Sequence, residues 1–288
     1  MSRYITSPFL YLLAVEDERE NMMGTTGTGL DIVVISLASA TKRRQQIDAM
    51  FAGWGRSWSY FDAHTSLQQS GLTYDPDRIM RSYGRTLTVP QIAVTSSHIA
   101  VLSDFIARNA AEHILVLEDD VIFDIAFPLD ELRDFCVAHA IDYIRLFGKH
   151  YAEAVRLGFF YDRSILRYTT STTGTQAYIM SRNGAKQFIE SFPTIDTTVD
   201  LAMDAFWQTG LPIYSIFPYP VIERYAPTSI PIPPSTNALG PTGLAHLYAG
   251  RLGRKYQKIM RNWTMRSADK MMQRKLEDFS QILDADRS

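Results

Sequence analysis

Ile114-Leu115-Val116-Leu117-Glu118-Asp119-Asp120-Val121-Ile122-Phe123 is the stretch from which the fold can be worked out. Its four leading apolar residues predict a strand buried on both faces, of the kind found in parallel sheets. Three carboxylates follow at once, before apolar sequence resumes. Open α/β sheets bind ligands at the strand ends, so these acids are natural ligands for Mg²⁺ or Mn²⁺. A strand end whose acids only face water is the alternative.

The composition is that of a globular chain with no general affinity for nucleic acid. With 288 residues and 46% apolar content, it can bury a large core as one big domain or two small ones. A net charge of −2 gives no case for nucleic-acid binding. The single cysteine, Cys136, cannot form an internal disulfide; we interpret it as a small buried helix residue of a cytoplasmic protein. No apolar run reaches the ~18 residues that span a bilayer.

A strand, a helix and a second strand precede the acidic stretch. Residues 32–37 predict a buried strand, Thr41 is placed to cap a helix, and residues 58–61 predict a short second strand, giving βαβ order. Three cations, 42–44, lie at the helix start, where they oppose the helix dipole. This pattern predicts a compensating anion such as a nucleotide diphosphate, with a solvated charged face as the alternative.

The segment that follows is predicted to be irregular. Residues 64–90 are polar and suit a lid or an acceptor-side insertion, and a helix is predicted from Ser96. His98 then falls in the first turn of that helix, where a structural hydrogen-bonding role and a site role are both open.

Beyond the acidic stretch the pattern predicts a helix (129–139), a strand (143–147), antiparallel strands within 149–172 and a strand from 174 to 180. Residues 197–200, Thr-Thr-Val-Asp, match a capping box at the start of a helix that continues to Trp207. Asp200 is therefore either a helix cap or a functional carboxylate.

The end of the chain has a different character. Residues 251–275 contain nine Lys/Arg and one acid, Asp269, while Leu252, Tyr256, Ile259 and Trp263 keep helical spacing. A basic amphipathic helix of this kind can lie on an anionic membrane surface. A solvated helix packed on its own domain is the alternative.

Taken together, these segments resemble glycosyltransferase family 25, the lipooligosaccharide galactosyltransferase family that also includes collagen galactosyltransferases. The resemblance covers roughly residues 31–230 and rests on six blocks in order. These are Val34-Ile35-Ser36-Leu37 with Ala40-Thr41-Lys42-Arg43-Arg44; Phe61-Asp62-Ala63; Ser97-His98; Leu117-Glu118-Asp119-Asp120-Val121; Gly174-Thr175 through Tyr178; and Val199-Asp200. One block departs: Pro90-Gln91-Ile92-Ala93-Val94 stands where the family usually has Gly-Glu-Ile-Gly-Cys, which bears on donor or acceptor identity.

The resemblance implies an α/β fold, a GT-A-like Rossmann-type domain for a nucleotide sugar, here with a mixed sheet and a C-terminal helical tail. It also implies an inverting, Mn²⁺- or Mg²⁺-dependent transfer, most often from UDP-galactose, onto a lipooligosaccharide or other cell-surface glycan. The acceptor would be a lipid-linked or free oligosaccharide.

Site roles follow from the same resemblance and from the residue chemistry. Glu118 and Asp120 are the predicted metal ligands, and Asp200 is the predicted catalytic base, with Asp204 four residues on as the next candidate. The predicted donor-binding residues are Leu37, Thr41, Arg43, Arg44, Asp62, Ala63, His98, Asp119, Gly174 and Thr175.

We predict three parts: a flexible extension (1–30), the glycosyltransferase domain (31–243) and the basic helical tail (244–288). The predicted location is cytoplasmic, with a peripheral position on anionic lipid at the inner face of the bacterial inner membrane if the tail docks there. Two other functions remain open, a metal-dependent nucleotide phosphotransferase or hydrolase and a non-catalytic binding subunit of a glycan-assembly complex.

Overall fold

Twelve strands and eight helices make up the part of the chain that the structure, a computed structural model, describes: residues 29–69, 71–83, 86–224 and 241–285. The strands are β1 (Leu30–Ser36), β2 (Ser59–Asp62), β3 (Thr73–Tyr74), β4 (His113–Glu118), β5 (Val121–Phe123), β6 (Tyr143–Arg145), β7 (Ala154–Phe160), β8 (Arg163–Tyr168), β9 (Ala177–Ser181), β10 (Thr194–Ile195), β11 (Tyr214–Phe217) and β12 (Val221–Glu223). The helices are α1 (Thr41–Phe51), α2 (Pro76–Tyr83), α3 (Val89–Arg108), α4 (Leu129–Ala138), α5 (Arg182–Ser191), α6 (Val199–Met203), α7 (Phe206–Thr209) and α8 (Pro241–Ala285).

A mixed sheet of eight strands, in the order β2-β1-β4-β9-β6-β11-β8-β7, forms the centre of the fold. Strands β2, β1 and β4 run parallel, and β9 is antiparallel to both of its neighbours, β4 and β6. The predicted antiparallel strands within 149–172 are the hairpin of β7 and β8 at the far edge. The predicted α/β class, with a mixed sheet and a C-terminal helix, is thus confirmed.

Apolar layers cover both faces of this sheet. In β4, Ile114 and Val116 join one core cluster, and Leu115 and Leu117 join the other, with each side chain fully buried. The burial on both faces that was predicted for this strand is confirmed. Cys136 is also buried, on α4, as predicted.

Helix α3 begins well before its predicted start at Ser96. Thr88 is its N-cap and forms a capping box with Gln91, and a proline occupies the first turn. His98 therefore lies in the interior of the helix, where it is completely buried, and the predicted first-turn position is wrong.

Three other segments differ from their predicted secondary structure. The predicted irregular segment 64–90 contains β3 and α2, since Asp75 accepts a hydrogen bond from the Arg78 backbone N–H at 2.8 Å and Pro76 fits the first helical position. Helix α1 does begin at Thr41, but residue 40 is its N-cap and no side chain caps it. The helix predicted through Trp207 is divided into α6 and α7.

Helix α8 packs along one end of the sheet, against β7, α2 and α7. Asp269 on α8 is buried and receives two hydrogen bonds from Arg167 of β8, at 2.6 and 2.7 Å. Within the described residues, no helix is both long and apolar enough to cross a membrane. Most of the predicted extension 1–30 lies outside those residues, as do residues 225–240 before the predicted tail, so the three-part division stays a prediction.

Candidate active site

The carboxyl ends of β1, β2 and β4 lie side by side at one edge of the sheet. Ser36 is opposite Asp62, and Glu118 is opposite Ile35. Because β9 is antiparallel to β4, the segment that leads into β9, residues 171–176, arrives at the same edge. The fold therefore brings together side chains that are more than eighty positions apart in the sequence.

Asp119 is held on both oxygens by residues of β1 and α1. The Ser36 hydroxyl donates to Oδ2 at 2.6 Å, and Arg43 Nη1 donates to Oδ1 at 2.8 Å. Burial raises the pKa of Asp119, against the lowering effects of the Ser36 hydrogen bond and the Arg43 charge. Asp119 thus ties the acidic stretch to β1 instead of offering a free oxygen to a ligand.

Arg44 forms a second ion pair at the same edge, with the largely exposed Asp62. Its guanidinium also donates to the Ser36 carbonyl at 2.9 Å and lies 4.5 Å from the centre of the Tyr60 ring. The anions that compensate Arg43 and Arg44 are therefore two carboxylates of the chain itself. A bound diphosphate would have to share or replace these partners, and its contact with both arginines stays a prediction.

The remaining predicted donor-site residues near β1 contribute backbone structure. Ala63 N–H donates to the Ser36 carbonyl at 2.9 Å, and the Leu37 carbonyl accepts from the Ala40 N–H at 2.9 Å. Thr41 is exposed at the first position of α1. These three residues border the same edge without forming a side-chain site of their own.

Glu118 lies at the centre of the edge, between α3 and the segment before β9. Thr175 donates its hydroxyl proton to Glu118 Oε1 at 2.6 Å, and His98 Nε2 lies 3.5 Å from the same oxygen. Burial alone would raise the pKa of Glu118, but His98 and the Thr175 hydrogen bond hold it below its ordinary value. Among the described residues no hydrogen bond reaches Oε2, so this oxygen is available to a ligand.

Asp120 has the clearest signature of a missing partner. Its Oδ1 is buried and accepts no hydrogen bond from the described part of the chain. Burial and, after it, the negative charges of Glu118, Asp119 and Glu223 together raise the pKa of Asp120 to about 7. Four carboxyl groups are thus crowded together, and one of them is kept from ionising at its usual pH.

These groups fit a shared divalent ion. Mg²⁺ is commonly bound through one or two carboxylates, with waters and substrate phosphates filling the other positions. Glu118 and Asp120 supply two such carboxylates, and an orphaned buried oxygen is the group such an ion would satisfy. Among the residues described, no group of three or more His, Cys, Asp or Glu side chains is arranged to hold a metal by itself. The predicted metal role of Glu118 and Asp120 stays a proposal.

Asp200 does not cap the helix as the capping-box pattern predicts. Helix α6 has Thr198 as its N-cap, with no side-chain cap bond, and Asp200 occupies the second helical position. Its Oδ1 accepts from the Leu201 N–H at 2.9 Å, and its Oδ2 accepts from the Gly174 N–H at 3.2 Å. The carboxylate is half-buried and turned toward the segment before β9, so the capping-box interpretation is wrong.

The contacts of Asp204 are those of a residue that stabilises the fold. It is completely buried and paired with the equally buried Arg145 of β6. Its other oxygen accepts from the Ser171 hydroxyl at 2.6 Å and from the Thr172 and Thr173 N–H groups, both at 3.1 Å. Asp204 thus supports the segment 171–174. Because Asp204 is completely buried and neutralised by Arg145, whereas Asp200 is half-buried and makes no ion pair within the described part of the chain, burial and charge favour Asp200 over Asp204 as a base.

Two neighbouring residues, Gly174 and Thr175, connect the two halves of the site. Gly174 holds Asp200 through its N–H, and Thr175 holds Glu118 through its hydroxyl. Gly174 has φ +79, and an added Cβ would lie 2.5 Å from the Gln176 side-chain oxygen, so this turn requires glycine. The predicted base and a predicted metal ligand are thus positioned by one dipeptide.

The sequence pattern missed two residues of this site. Arg145 falls within the predicted strand 143–147, and a cation inside a buried strand is itself a signal, because buried charges must be paired. Glu223 lies on β12, which pairs with β5 directly after the acidic stretch, and its position depends on that pairing alone.

Comparisons with known proteins agree with the resemblance seen in the sequence. The model of glycosyltransferase family 25, described as an LPS biosynthesis protein, matches residues 30–203. The chain is 28% identical over 202 residues to the lacto-N-neotetraose biosynthesis glycosyltransferase LgtE of Neisseria gonorrhoeae, covering 64% of this chain and 71% of that protein. The LgtE protein of Neisseria meningitidis serogroup B (strain ATCC BAA-335 / MC58) is 26% identical over 199 residues, with the same coverage.

Two solved structures are similar to this chain at low TM-score and low sequence identity. A197 from STIV has a TM-score of 0.40 and 10% identity, covering 69% of this chain and 86% of its own. A glycosyltransferase involved in the glycosylation of the major capsid of PBCV-1 has a TM-score of 0.31 and 13% identity, covering 66% of this chain and 70% of its own.

Proposed function

The chain belongs to glycosyltransferase family 25, and from this premise we propose that it transfers galactose from UDP-galactose, with inversion, to a glycan acceptor of the lipooligosaccharide type. The acceptor is proposed to be an oligosaccharide, lipid-linked or free. The reaction is proposed to depend on Mn²⁺ or Mg²⁺ bound by Glu118 and Asp120.

The chemistry has two demands. The departing nucleoside diphosphate must have its charge neutralised, and the attacking hydroxyl must lose a proton. A divalent ion at the Glu118–Asp120 edge would supply the first by acting as a Lewis acid on phosphate oxygens. Asp200 is the proposed general base for the second, accepting the proton of the acceptor hydroxyl on a carboxylate oxygen.

One observation carries this proposal: Asp200 and Glu118 are held by adjacent residues, Gly174 and Thr175. A base and a leaving-group site must be placed a fixed distance apart, with the sugar between them, for a single displacement. A shared dipeptide in a turn that requires glycine supports such a fixed separation.

On the donor side, Arg43 and Arg44 are proposed to contact the diphosphate. Guanidinium groups bind phosphate oxygens bidentately. Arg43 is 38% exposed and Arg44 21% exposed while each is paired with a carboxylate, so both reach the surface of the edge. Asp62 is largely exposed and is proposed to contact the nucleoside, with its hold on Arg44 fixing its orientation.

A panel of nucleotide sugars tests the donor assignment by thermal shift, with and without Mn²⁺. A ligand at ~100 times its dissociation constant stabilises the folded state by about 2.7 kcal/mol. For a domain of this size that corresponds to a rise in melting temperature of about 5–10 °C. We expect the largest rise with UDP-galactose plus Mn²⁺, and a small one with UDP-galactose plus a chelator.

The two other functions would give different results. Release of free galactose or phosphate with no acceptor requirement would favour a hydrolase or phosphotransferase. A full thermal shift with UDP-galactose, but no transfer to any glycan acceptor and no hydrolysis, would favour a binding subunit. A larger shift with another UDP-sugar would overturn the galactose assignment while leaving transfer itself in place.

A further inference from the structure

Helix α8 presents two different faces. One face packs on the domain through Leu247, Met265 and Leu276, all buried, and through the buried ion pair of Asp269 with Arg167. A second, outer face carries side chains that stay more than half exposed, although Ile259 and Trp263 also border a groove with Val155 and Thr169 of the domain. The helix is therefore anchored independently of whatever its outer face does.

The outer face carries an apolar stripe that the fold leaves exposed. Its members recur at intervals of three or four residues, which places them in an arc of about 80° along about 22 Å of helix. They are Tyr248 (60% exposed), Leu252 (67%), Tyr256 (65%), Ile259 (55%) and Trp263 (61%). Two tyrosines and one tryptophan in this stripe are the side chains that favour the boundary between water and lipid.

The charge around the stripe is of one sign. Residues 251–275 contain nine Lys/Arg, and their single acid, Asp269, is buried and neutralised by Arg167. Seven of the nine cations are exposed: Arg251, Lys255, Arg261, Arg266, Lys270, Arg274 and Lys275. Lys270 lies on the same helical face as Leu252 and Tyr256, so the apolar stripe continues directly into a basic one.

We propose that the outer face of α8 docks on a bilayer containing anionic phospholipid. The helix would lie in the plane of the interface, with the apolar stripe among the acyl chains. The exposed cations on or beside the stripe, Lys255, Arg266, Lys270 and Arg274, would meet the headgroup phosphates. This complementarity of charge selects an anionic lipid surface over an apolar protein groove. Because the buried face is already occupied, docking requires no rearrangement of the domain.

This inference adds a location to the proposed transfer and deepens it where the acceptor is lipid-linked. Its test is vesicle binding, which needs no donor and no turnover, so docking and transfer can fail separately. The full chain is mixed with vesicles of phosphatidylcholine, with or without phosphatidylglycerol, and the pelleted fraction is measured. We expect strong pelleting with phosphatidylglycerol, little with phosphatidylcholine alone, and weakening at high salt.

Two pairs of variants separate the stripe and the charge from non-specific effects. Leu252→Ser with Trp263→Ser is expected to weaken binding at least ~10-fold, since burial of apolar side chains supplies part of the affinity. Val137→Ser with Tyr151→Ser, at positions 61% and 95% exposed elsewhere on the domain, should bind as wild type. Lys270→Glu is expected to weaken binding roughly 10-fold, and Lys186→Glu, on the exposed side of α5, should not.

The remaining outcomes would overturn the proposal. Equal pelleting with both kinds of vesicle, or none with either, would contradict an anionic lipid surface. So would a stable dimer in sedimentation velocity that the Leu252→Ser/Trp263→Ser variant dissociates, since the stripe would then belong to a second copy of the chain. The melting temperatures of all variants are measured first, so that loss of fold is not taken for loss of docking.

Discussion

Asp120→Asn is expected to abolish metal-dependent transfer while making the metal-free protein more stable. In the wild type, burial and the charges of Glu118, Asp119 and Glu223 raise the pKa of Asp120 to about 7. Above that pH the Asp120 carboxylate is ionised, and its buried charge lowers the free energy of unfolding. The uncharged amide of asparagine does not have this destabilising effect. We expect a gain of roughly 1 kcal/mol after allowance for solvent screening, which corresponds to a rise in melting temperature of about 2–4 °C at pH 8.

The sign of the pH dependence follows from the raised pKa. A carboxyl group whose pKa is higher in the folded state destabilises the fold progressively as the pH rises from its ordinary pKa of about 4 to about 7, and the loss is complete above that pH. The difference in melting temperature between Asp120→Asn and the wild type should therefore be largest at pH 8, smaller at pH 5, and should nearly vanish only at about pH 4, where the unfolded chain also begins to bind the proton. Mn²⁺ should stabilise the wild type at pH 8 and should have little effect on the variant.

The activity of the same variant should fall by at least ~10³-fold, because neutralisation of charge on a leaving diphosphate is worth several kcal/mol and each 1.36 kcal/mol is tenfold in rate. Glu223→Gln is the matched control. Glu223 contributes to the same repulsion but contacts Lys149 and Gln176 at 3.4 Å, so its loss should stabilise the protein and leave the metal requirement in place. If Asp120→Asn kept near wild-type turnover in a chelator, the metal role would be refuted.

Asp200→Asn is expected to lower turnover by ~10²–10⁴-fold while donor binding is largely kept, because a general base contributes a factor of this size. The structure also predicts a small loss of stability. Both oxygens of Asp200 accept backbone N–H groups, and an asparagine can accept with only one of them. One lost hydrogen bond costs about 1 kcal/mol, or about 2–4 °C in melting temperature.

Asp204→Asn is the control that separates positioning from base catalysis. It removes the charge that neutralises the buried Arg145, and breaking such a pair costs about 3–5 kcal/mol, or on the order of 10 °C in melting temperature. We expect Asp204→Asn to melt much earlier than Asp200→Asn. Normal turnover by Asp200→Asn, together with an earlier melt, would assign Asp200 to structure.

The central part of the fold could be predicted because its signals are local. Four apolar residues before three acids identify β4 and its ligand edge, and the alternation of strand and helix identifies βαβ order. The strands near residues 211–223 were harder to predict, because their pairing is not visible in the sequence. The stretch from Leu211 to Val221 predicts one strand. Pro218 and Pro220 interrupt the backbone ladder, so β11 joins the main sheet while β12 pairs with β5 in a separate sheet.

Two predictions, the start of α3 and the capping role of Asp200, were wrong because another contact decides the local structure. The start of α3 was placed at Ser96, although Thr88 and Gln91 form a capping box eight residues earlier. The same contact explains why Gln91 is suited to a position where the family usually has Glu, since either side chain completes the box. For Asp200, the Thr-Thr-Val-Asp pattern predicted a cap, and only the partner Gly174, 26 positions away, shows otherwise.

The contacts of the site itself depend on tertiary structure. No pattern in the sequence indicates that Thr175 meets Glu118, that Ser36 and Arg43 hold Asp119, or that Arg145 neutralises Asp204. Each of these contacts joins residues that sheet order, and not spacing, brings together. The family resemblance predicted the residues of the candidate site, and their geometry separates those that support it from those proposed to react.

The most direct test of the account is the anomeric configuration of the product, read by proton NMR after incubation with UDP-galactose, Mn²⁺ and a glycan acceptor. UDP-galactose is an α-glycoside, so an inverting transfer gives a β-linked galactoside. We expect a β-linked product that requires both metal and acceptor and that disappears in Asp120→Asn and Asp200→Asn. An α-linked product, a β-linked product formed equally in a chelator, or free galactose with no dependence on acceptor would contradict it.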